Sequence, residues 1–573
     1  MTISDSAGAG DNLLEHLQES MFELGRLVGD DLLAFMLAMS PSDLRTDRIL
    51  DGPRTEVLDK IWTKAVENTE QIGPEWGPIR WKTVSESALI EAFCTYDESL
   101  KTSVATNYHL HAGGLRPDVG DATSLKSCLQ TIAIDTFPAR LVGSGRTLYS
   151  WSGADQHPLT QAVRTHLRDD TEPLHRLLIA AWAATDPADR RGRDTVSHSD
   201  QMTVDWSTGG GGSLYLHDIG SGIISSVILE NDLDDRVLIQ VSDAINIGLA
   251  QARRLAAGES VAVKTAIGLG GFTLADDVPP IEVVGGLLRR PTVLDRRLNT
   301  FAAKPDIVLE IELPVRYTRA RLSPPARNNT DILSRFIADN EQRKPFLPEL
   351  IAHGDEVKER IRRIRFAMIL ASPDQQAVLE PVWRFTQQFN PIIGRGSGTH
   401  QPDPEPNVVH TTPPPCVDTA TATEIAAWVG KLDRLPDSLK VGRRRLLQAA
   451  TERSDPFDKF IDAVIVWETM FGADSETSFR VTGAMALLLE PSDIEARKML
   501  HRKLSELYGH RSKLVHGAVG HELETKAFKA ANVPAHANEA IRYAINCFKK
   551  ILDEPQLLPL DSAARSKRIL LGF

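Results

Sequence analysis

The stretch from Ile393 to Ala422 constrains this chain more than any other. It opens with Gly394-Arg395-Gly396-Ser397-Gly398 and runs through Pro402, Pro404 and Pro406 to Pro413-Pro414-Pro415. Glycine frees the backbone, and clustered proline stiffens it while removing amide donors, so the stretch joins structured units and builds no core. The same prolines can also be read as a PxxP-like ligand, which recognition modules take as an extended helix, although no two of them stand three apart. The chain is therefore expected to be multidomain: a mixed α/β (α+β) body over 1–390, a linker over 391–422, an all-α bundle over 423–555 and a tail over 556–573. At 573 residues it can form two or more domains with sizeable cores.

Before the linker, apolar spacing predicts helices from Leu13 to Met39, from Thr55 to Ile72 and from Thr171 to Ala184, the last with Leu177, Leu178, Ile179 and Trp182 inward. From Ser213 the period becomes strand-like. Residues 213–217 and 223–229 flank Gly220 and Gly222, which predicts a hairpin. A helix from Leu233 to Ala257 ends at Gly258, and strands follow at 261–263, 281–284 and 306–315. Helices are expected again from Thr330 to Gln388. Gly268-Leu269-Gly270-Gly271-Phe272 lacks the third glycine of a dinucleotide loop and the Lys-Ser/Thr of a P-loop, so it reads as backbone geometry. His109-Leu110-His111 can place two imidazoles on one strand face, but with no third ligand these read as core or surface histidines. There is no internal repeat.

After the linker the periodicity is consistently helical. Phe457, Phe460, Ile461, Val464, Ile465 and Phe471 form a stripe that must face other helices, and Glu468 falls on it. A buried carboxylate needs a partner, and Arg511 or Arg480 can supply one, unless Glu468 lies at the stripe's edge in water. Ser492-Asp493-Ile494-Glu495 matches a capping box and starts a helix of about 24 residues, ending at His516 with Gly517 as its stop. Leu500, Leu507 and Leu514 recur every seven residues on its packing side. Tyr508, Ser512 and His516 lie on a stripe about 40° beyond that line, at the core–surface boundary. A last helix from Asn538 to Leu552 adds Ile541, Ile545, Phe548, Ile551 and Leu552.

Arg511, Ser512 and His516 put a permanent cation, a hydroxyl and an imidazole in one patch, a set that can hold a phosphodiester and move its protons. The same three can also simply cap a helix C-terminus, where cations suit the dipole. Arg511-Ser512-Lys513-Leu514-Val515-His516-Gly517 resembles the R-x4-H signature of HEPN domains, particularly the Apea-like branch. Two other matches to the bare spacing, Arg193 to His198 and Arg395 to His400, lie in polar, Gly- or Ser-bearing stretches that cannot be helix centres. Around Arg511 the order of helix, acidic position, helix and signature is similar to the family over about residues 424–553.

The resemblance implies an all-α, commonly dimeric, metal-independent endoribonuclease with no cofactor, in which the Arg and His of two protomers face one cleft. Carried onto this chain, Arg511 and His516 take the two fixed positions, and Ser512 takes the variable polar position that other branches fill with Asn, Asp or His. Glu468 and Tyr508 are expected to support them. His516 would shuttle the 2′-hydroxyl or leaving-group proton while Arg511 stabilises phosphate charge. The products would be a 2′,3′-cyclic phosphate and a 5′-hydroxyl. Family analogy suggests bacterial defence or toxin-like growth arrest. The alternatives are a non-catalytic dimerisation module that binds RNA or a nucleotide, or a scaffold for recognition by residues 1–390.

A net charge of −12 excludes a generally DNA-coating surface, so any nucleic-acid contact must be local. Arg497, Lys498, Arg502, Lys503, Arg511 and Lys513 against the single acid Glu506 make such a patch, with Arg502, Lys503 and Lys513 the expected RNA contacts. Arg443, Arg444 and Arg445 form a second basic cluster. Either run also suits a solvated helix face. Four dispersed cysteines, Cys94, Cys128, Cys416 and Cys547, offer neither a disulfide framework nor a zinc module. With no signal-peptide pattern and no apolar run near the ~20 residues a span needs, a cytoplasmic protein is expected.

Overall fold

The computed structural model describes residues 20–45, 50–71, 78–142, 156–177, 201–206, 211–215, 218–229, 233–275, 277–292, 295, 305–322, 347–372, 379–393, 415–473, 477–515 and 532–572. The N-terminal part is mainly helical: α1 (Asp30–Met36), α2 (Gly52–Gln71), α3 (Pro78–Cys94), α4 (Val104–His111), α5 (Leu125–Thr136), α6 (Thr160–Arg168), α7 (Asp218–Ser225) and α8 (Val237–Ala256). The helix expected from Leu13 to Met39 is broken at Gly29, whose φ of 96° ends the helical stretch over 20–28 before α1 begins. Half of the Thr171 to Ala184 expectation, residues 178–184, lies outside the described residues; in the described half only 175–177 are helical, with Leu177 buried. Leu32, Phe35, Ile90, Phe93, Leu129, Phe137, Ile223 and Ile245 share one core between these helices.

Short pairings decorate this layer. β1 (Tyr96–Asp97) pairs with β2 (Thr102–Ser103), and β3 (Gln201–Trp206) pairs antiparallel with β4 (Gly211–Tyr215). The expected hairpin of residues 213–229 is not formed. Its second arm is α7, with Ile219, Ile223 and Ile224 buried, and the partner of β4 is β3 instead. A short apolar run flanked by glycines suits a buried helix as well as a strand, and Gly220 lets α7 press against Val163. His109 and His111 are likewise helical. His109 is buried in α4, stacked 4.4 Å from Phe35 with its Nδ1 2.7 Å from the Phe35 carbonyl, and burial lowers its pKa. His111 is exposed.

A five-stranded antiparallel sheet lies at the centre. β5 (Val261–Gly270) is followed by β6 (Thr273–Leu274), the hairpin of β7 (Ile281–Val283) and β8 (Gly286–Arg289), then β9 (Ile307–Val315) and β10 (Tyr317–Leu322). After helix α9 (Leu347–Leu370), β11 (Val382–Gln388) completes the order β11-β5-β9-β8-β7. β10 joins β3 and β4 in a separate sheet. Helix was expected as far as Gln388, so β11 is a correction. Its residues alternate between half-buried and buried, and tertiary pairing to β5 decides a stretch whose periodicity is ambiguous. The glycine run of β5 serves this contact: a β-carbon on Gly268 would sit inside the Phe385 ring, and Gly271 turns with a φ of 92° against the Glu380 carbonyl.

The expected linker has structure at its end. Residues 394–414 lie outside the described residues, but β12 (Cys416–Val417) pairs in parallel with β6, and α10 (Thr419–Leu432) starts on its Asp418 cap. Among the described residues six further helices fill the C-terminal region with α10: α11 (Asp437–Thr451), α12 (Pro456–Phe471), α13 (Thr477–Leu489), α14 (Ile494–Val515), α15 (Val533–Asp553) and α16 (Ser562–Leu571), against which α9 also packs. Packing does not respect a boundary at residue 390. Leu269, Leu309, Ile364, Phe366, Trp467 and Phe548 belong to one core that runs from the sheet into the bundle.

The expected tail over 556–573 is also a helix in place. Asp561 caps α16, and the fully buried Arg565 donates to the carbonyls of Leu557 (3.0 Å), Met470 (2.8 Å) and Leu560. Charged residues in a short terminal segment masked that role. No helix among the described residues is long and apolar enough to cross a membrane.

Candidate functional site

Two helix starts place the site. Asp455 accepts the amides of Phe457 (2.6 Å) and Asp458 (3.4 Å), which launches α12 with Pro456 in its first turn. Asp493, rather than the expected Ser492, accepts the amides of Glu495 and Ala496 at 2.9 Å and launches α14. In α12 the buried face is Phe460, Val464, Trp467, Met470 and Phe471, with Trp467 donating to the Ala540 carbonyl at 3.2 Å. Phe457, Ile461 and Ile465 are only half-buried, so the stripe is rotated from the expected one and Glu468 stands on its shoulder.

Glu468 is the hub. Tyr508 donates its hydroxyl to one carboxylate oxygen at 2.6 Å, and Arg511 donates Nη2 to the other at 3.1 Å. The expected Arg511 pairing is present. The Arg511 and Glu468 side chains keep 20% and 24% of their exposure, so solvent reaches the ion pair. Tyr508 is 8% exposed, and burial followed by the neighbouring carboxylate raises its pKa. Its phenol is thus held as a neutral donor. The Nε of Arg511 is buried with no hydrogen-bond partner among the described residues.

Of the other expected site residues, Ser512 is half-buried one position beyond Arg511. His516 lies outside the described residues, as does the side chain of Lys513. Arg502 is exposed, whereas Lys503 is committed to Glu539 of α15 at 3.0 Å. The second basic cluster is largely spent internally: Arg443 pairs with Glu359, and Arg445 pairs with the buried Asp462 at 2.8 Å. Arg193, His198, Arg395 and His400 lie outside the described residues.

Sequence reasoning missed a second imidazole pair. His510, 9% exposed and next to Arg511, meets His536 of α15 edge-to-face with ring centres 5.6 Å apart, and its Nε2 is 4.0 Å from Glu506. His510 lies four residues after Glu506, the one available signal, but nothing in the sequence couples it to His536, 26 positions away on another helix.

No family model, curated protein or solved structure matches this chain. The chemistry of the site therefore follows from its residues. A guanidinium fixed by a carboxylate that a phenol also holds is a rigid, partly solvent-reachable cation at the end of a long helix. Such a group can bind a phosphate oxygen and stabilise charge growing on it.

Proposed function

We propose that the C-terminal helical region is a HEPN-type, metal-independent endoribonuclease acting as a homodimer. The observation that carries this reading is the Arg511–Glu468–Tyr508 constellation, which fixes the signature arginine before any substrate arrives. Preorganisation is what transition-state charge stabilisation requires, since a cation already aimed costs no reorganisation during the reaction. In the proposed reaction the 2′-hydroxyl of RNA attacks the adjacent phosphorus and the bond to the 5′ oxygen breaks. Arg511 holds the phosphate oxygens, and His516 takes or returns the proton. One histidine cannot serve as acid and base in a single step, so two protomers each contributing Arg511 and His516 complete the centre.

RNA cleavage in EDTA tests the reading, with wild type compared with Arg511→Ala and His516→Ala. Loss of cleavage in both, with fold and dimer retained, supports it. Equal activity in all three removes the assigned site.

A second reading has its own observation. Glu468 already occupies a terminal nitrogen of Arg511, as it would in a clasp between α12 and α14. In that case the region is a non-catalytic dimerisation module that binds RNA or a nucleotide, and the EDTA assay finds no cleavage in wild type.

A further inference from the structure

A groove between α13 and α14 lies apart from the Arg511 hub and has no role in the chemistry above. It encloses about 300 Å³. Its floor is Gly483 and Ala486, one wall is Phe479 in the first turn of α13, and Ile494 closes the end. The other wall is cationic, with Arg497, Lys498 and Arg502 on α14. Phe479 is 61% exposed and Ile494 60% exposed, an unusual placement for large apolar side chains. The Phe479 ring is set by His501, edge-to-face at 6.1 Å, and His501 is in turn held 3.2 Å from the Thr482 hydroxyl.

The cations differ in availability. Arg497 is fixed by the carbonyls of Glu490 (2.8 Å) and Pro491. Among the described residues Lys498 makes only an exposed contact to Glu495, three residues back on its own helix, and such pairs are readily given up. Arg502 is exposed. Among the described residues no carboxylate lines the groove.

We propose that this groove is a single-stranded RNA subsite, in which one base stacks on Phe479 and successive phosphates lie on Lys498 and Arg502. Charge complementarity selects the occupant: three cations rim an apolar notch on a chain of net charge −12. Lys498 and Arg502 are one helical turn apart, which sets them about 6 Å from each other, within reach of neighbouring phosphates. The amide end of α13 adds positive potential beside Phe479. A base needs only a ring face, which is the way aromatic platforms bind single strands without sequence preference. The proposal deepens the RNA-binding part of the reading above and is independent of cleavage.

The test is fluorescence anisotropy of a labelled, fully 2′-O-methylated single-stranded oligoribonucleotide on the full chain. This probe lacks the nucleophile, so binding is read even if the protein is no nuclease. Phe479→Ala should weaken binding roughly tenfold. Arg502→Ala and Lys498→Ala should each lower the slope of log affinity against log salt by about 0.7. Val441→Ala, at an exposed position of α11, should bind as wild type. Wild-type affinity in Phe479→Ala and Arg502→Ala overturns the proposal. So does tighter binding of an amphipathic glutamate–leucine peptide that Phe479→Ala abolishes, which would make the groove a protein site. No cleavage by the wild-type chain, with groove binding present, refutes the nuclease reading alone, and wild-type cleavage with groove-independent binding refutes this one alone.

Discussion

Replacing Tyr508 by Phe isolates one arm of the hub without creating a cavity. The hydroxyl lost is a 2.6 Å donor to a carboxylate, a class of hydrogen bond worth about 1.5–3 kcal/mol. Glu468 retains a quarter of its exposure, so water replaces part of the interaction and the lower end, about 1.5 kcal/mol, applies. Glu468→Gln weakens both arms and should cost more, about 2–3 kcal/mol. The two changes share one contact, so the double variant should fall short of their sum by about 1 kcal/mol. A chain of this size does not unfold in one step, so the measurement is hydrogen exchange at the amides of α12 and α14, where about 1.4 kcal/mol appears as tenfold faster opening. The pH dependence has a definite sign. The folded pKa of Tyr508 is raised above its unfolded value near ~10, so its stabilisation is complete below that pH and is lost as pH rises through the folded value. Tyr543, pushed up to about 12 by burial and Glu539, adds a loss of the same sign in that range. Ultraviolet titration should therefore show one fewer late-ionising tyrosine in Tyr508→Phe. Additive exchange effects, or an unchanged titration, would refute the hub.

Other positions give independent checks. Arg565→Met leaves three carbonyls without their donor and should destabilise the α12–α16 contact by about 3 kcal/mol or more, seen as faster proteolysis and exchange in both helices. Gly268→Ala forces a methyl into the Phe385 ring and should cost about 1–3 kcal/mol, read as faster exchange along β5 and β11. Cys416 is exposed while Cys94, Cys128 and Cys547 are buried, so a thiol reagent should modify one cysteine quickly and the others only on unfolding.

Where a helix carries its own start signal and a strong 3.6-residue period, the sequence is enough to place it. The Ser492-Asp493 start of α14 and the Glu468–Arg511 pair are legible, because cap chemistry and the cost of an unpaired acid are local rules. The exact cap was not, since Ser492 and Asp493 both qualify and only the backbone path chooses between them. Residues 223–229 and 382–388 were misread because short apolar runs suit either period, and the deciding contacts, Val163 against Gly220 and β5 against β11, are distant in sequence. The terminal helix hid behind its charges: Arg565 reads as a surface residue until the carbonyls it caps are brought to it. The His510–His536 pair and the Phe479 groove depend on how α13, α14 and α15 lie together, which no single stretch encodes.

The claim that Arg511 belongs to a phosphodiester-cleaving centre is tested most directly by product chemistry on a substrate with one 2′-deoxy position. RNA cut by the wild-type protein in EDTA should end in a 2′,3′-cyclic phosphate and a 5′-hydroxyl, and a single deoxynucleotide at the cut site should abolish cutting there, as Arg511→Ala should everywhere. Cleavage that passes the deoxy position, or survives Arg511→Ala undiminished, would contradict the account.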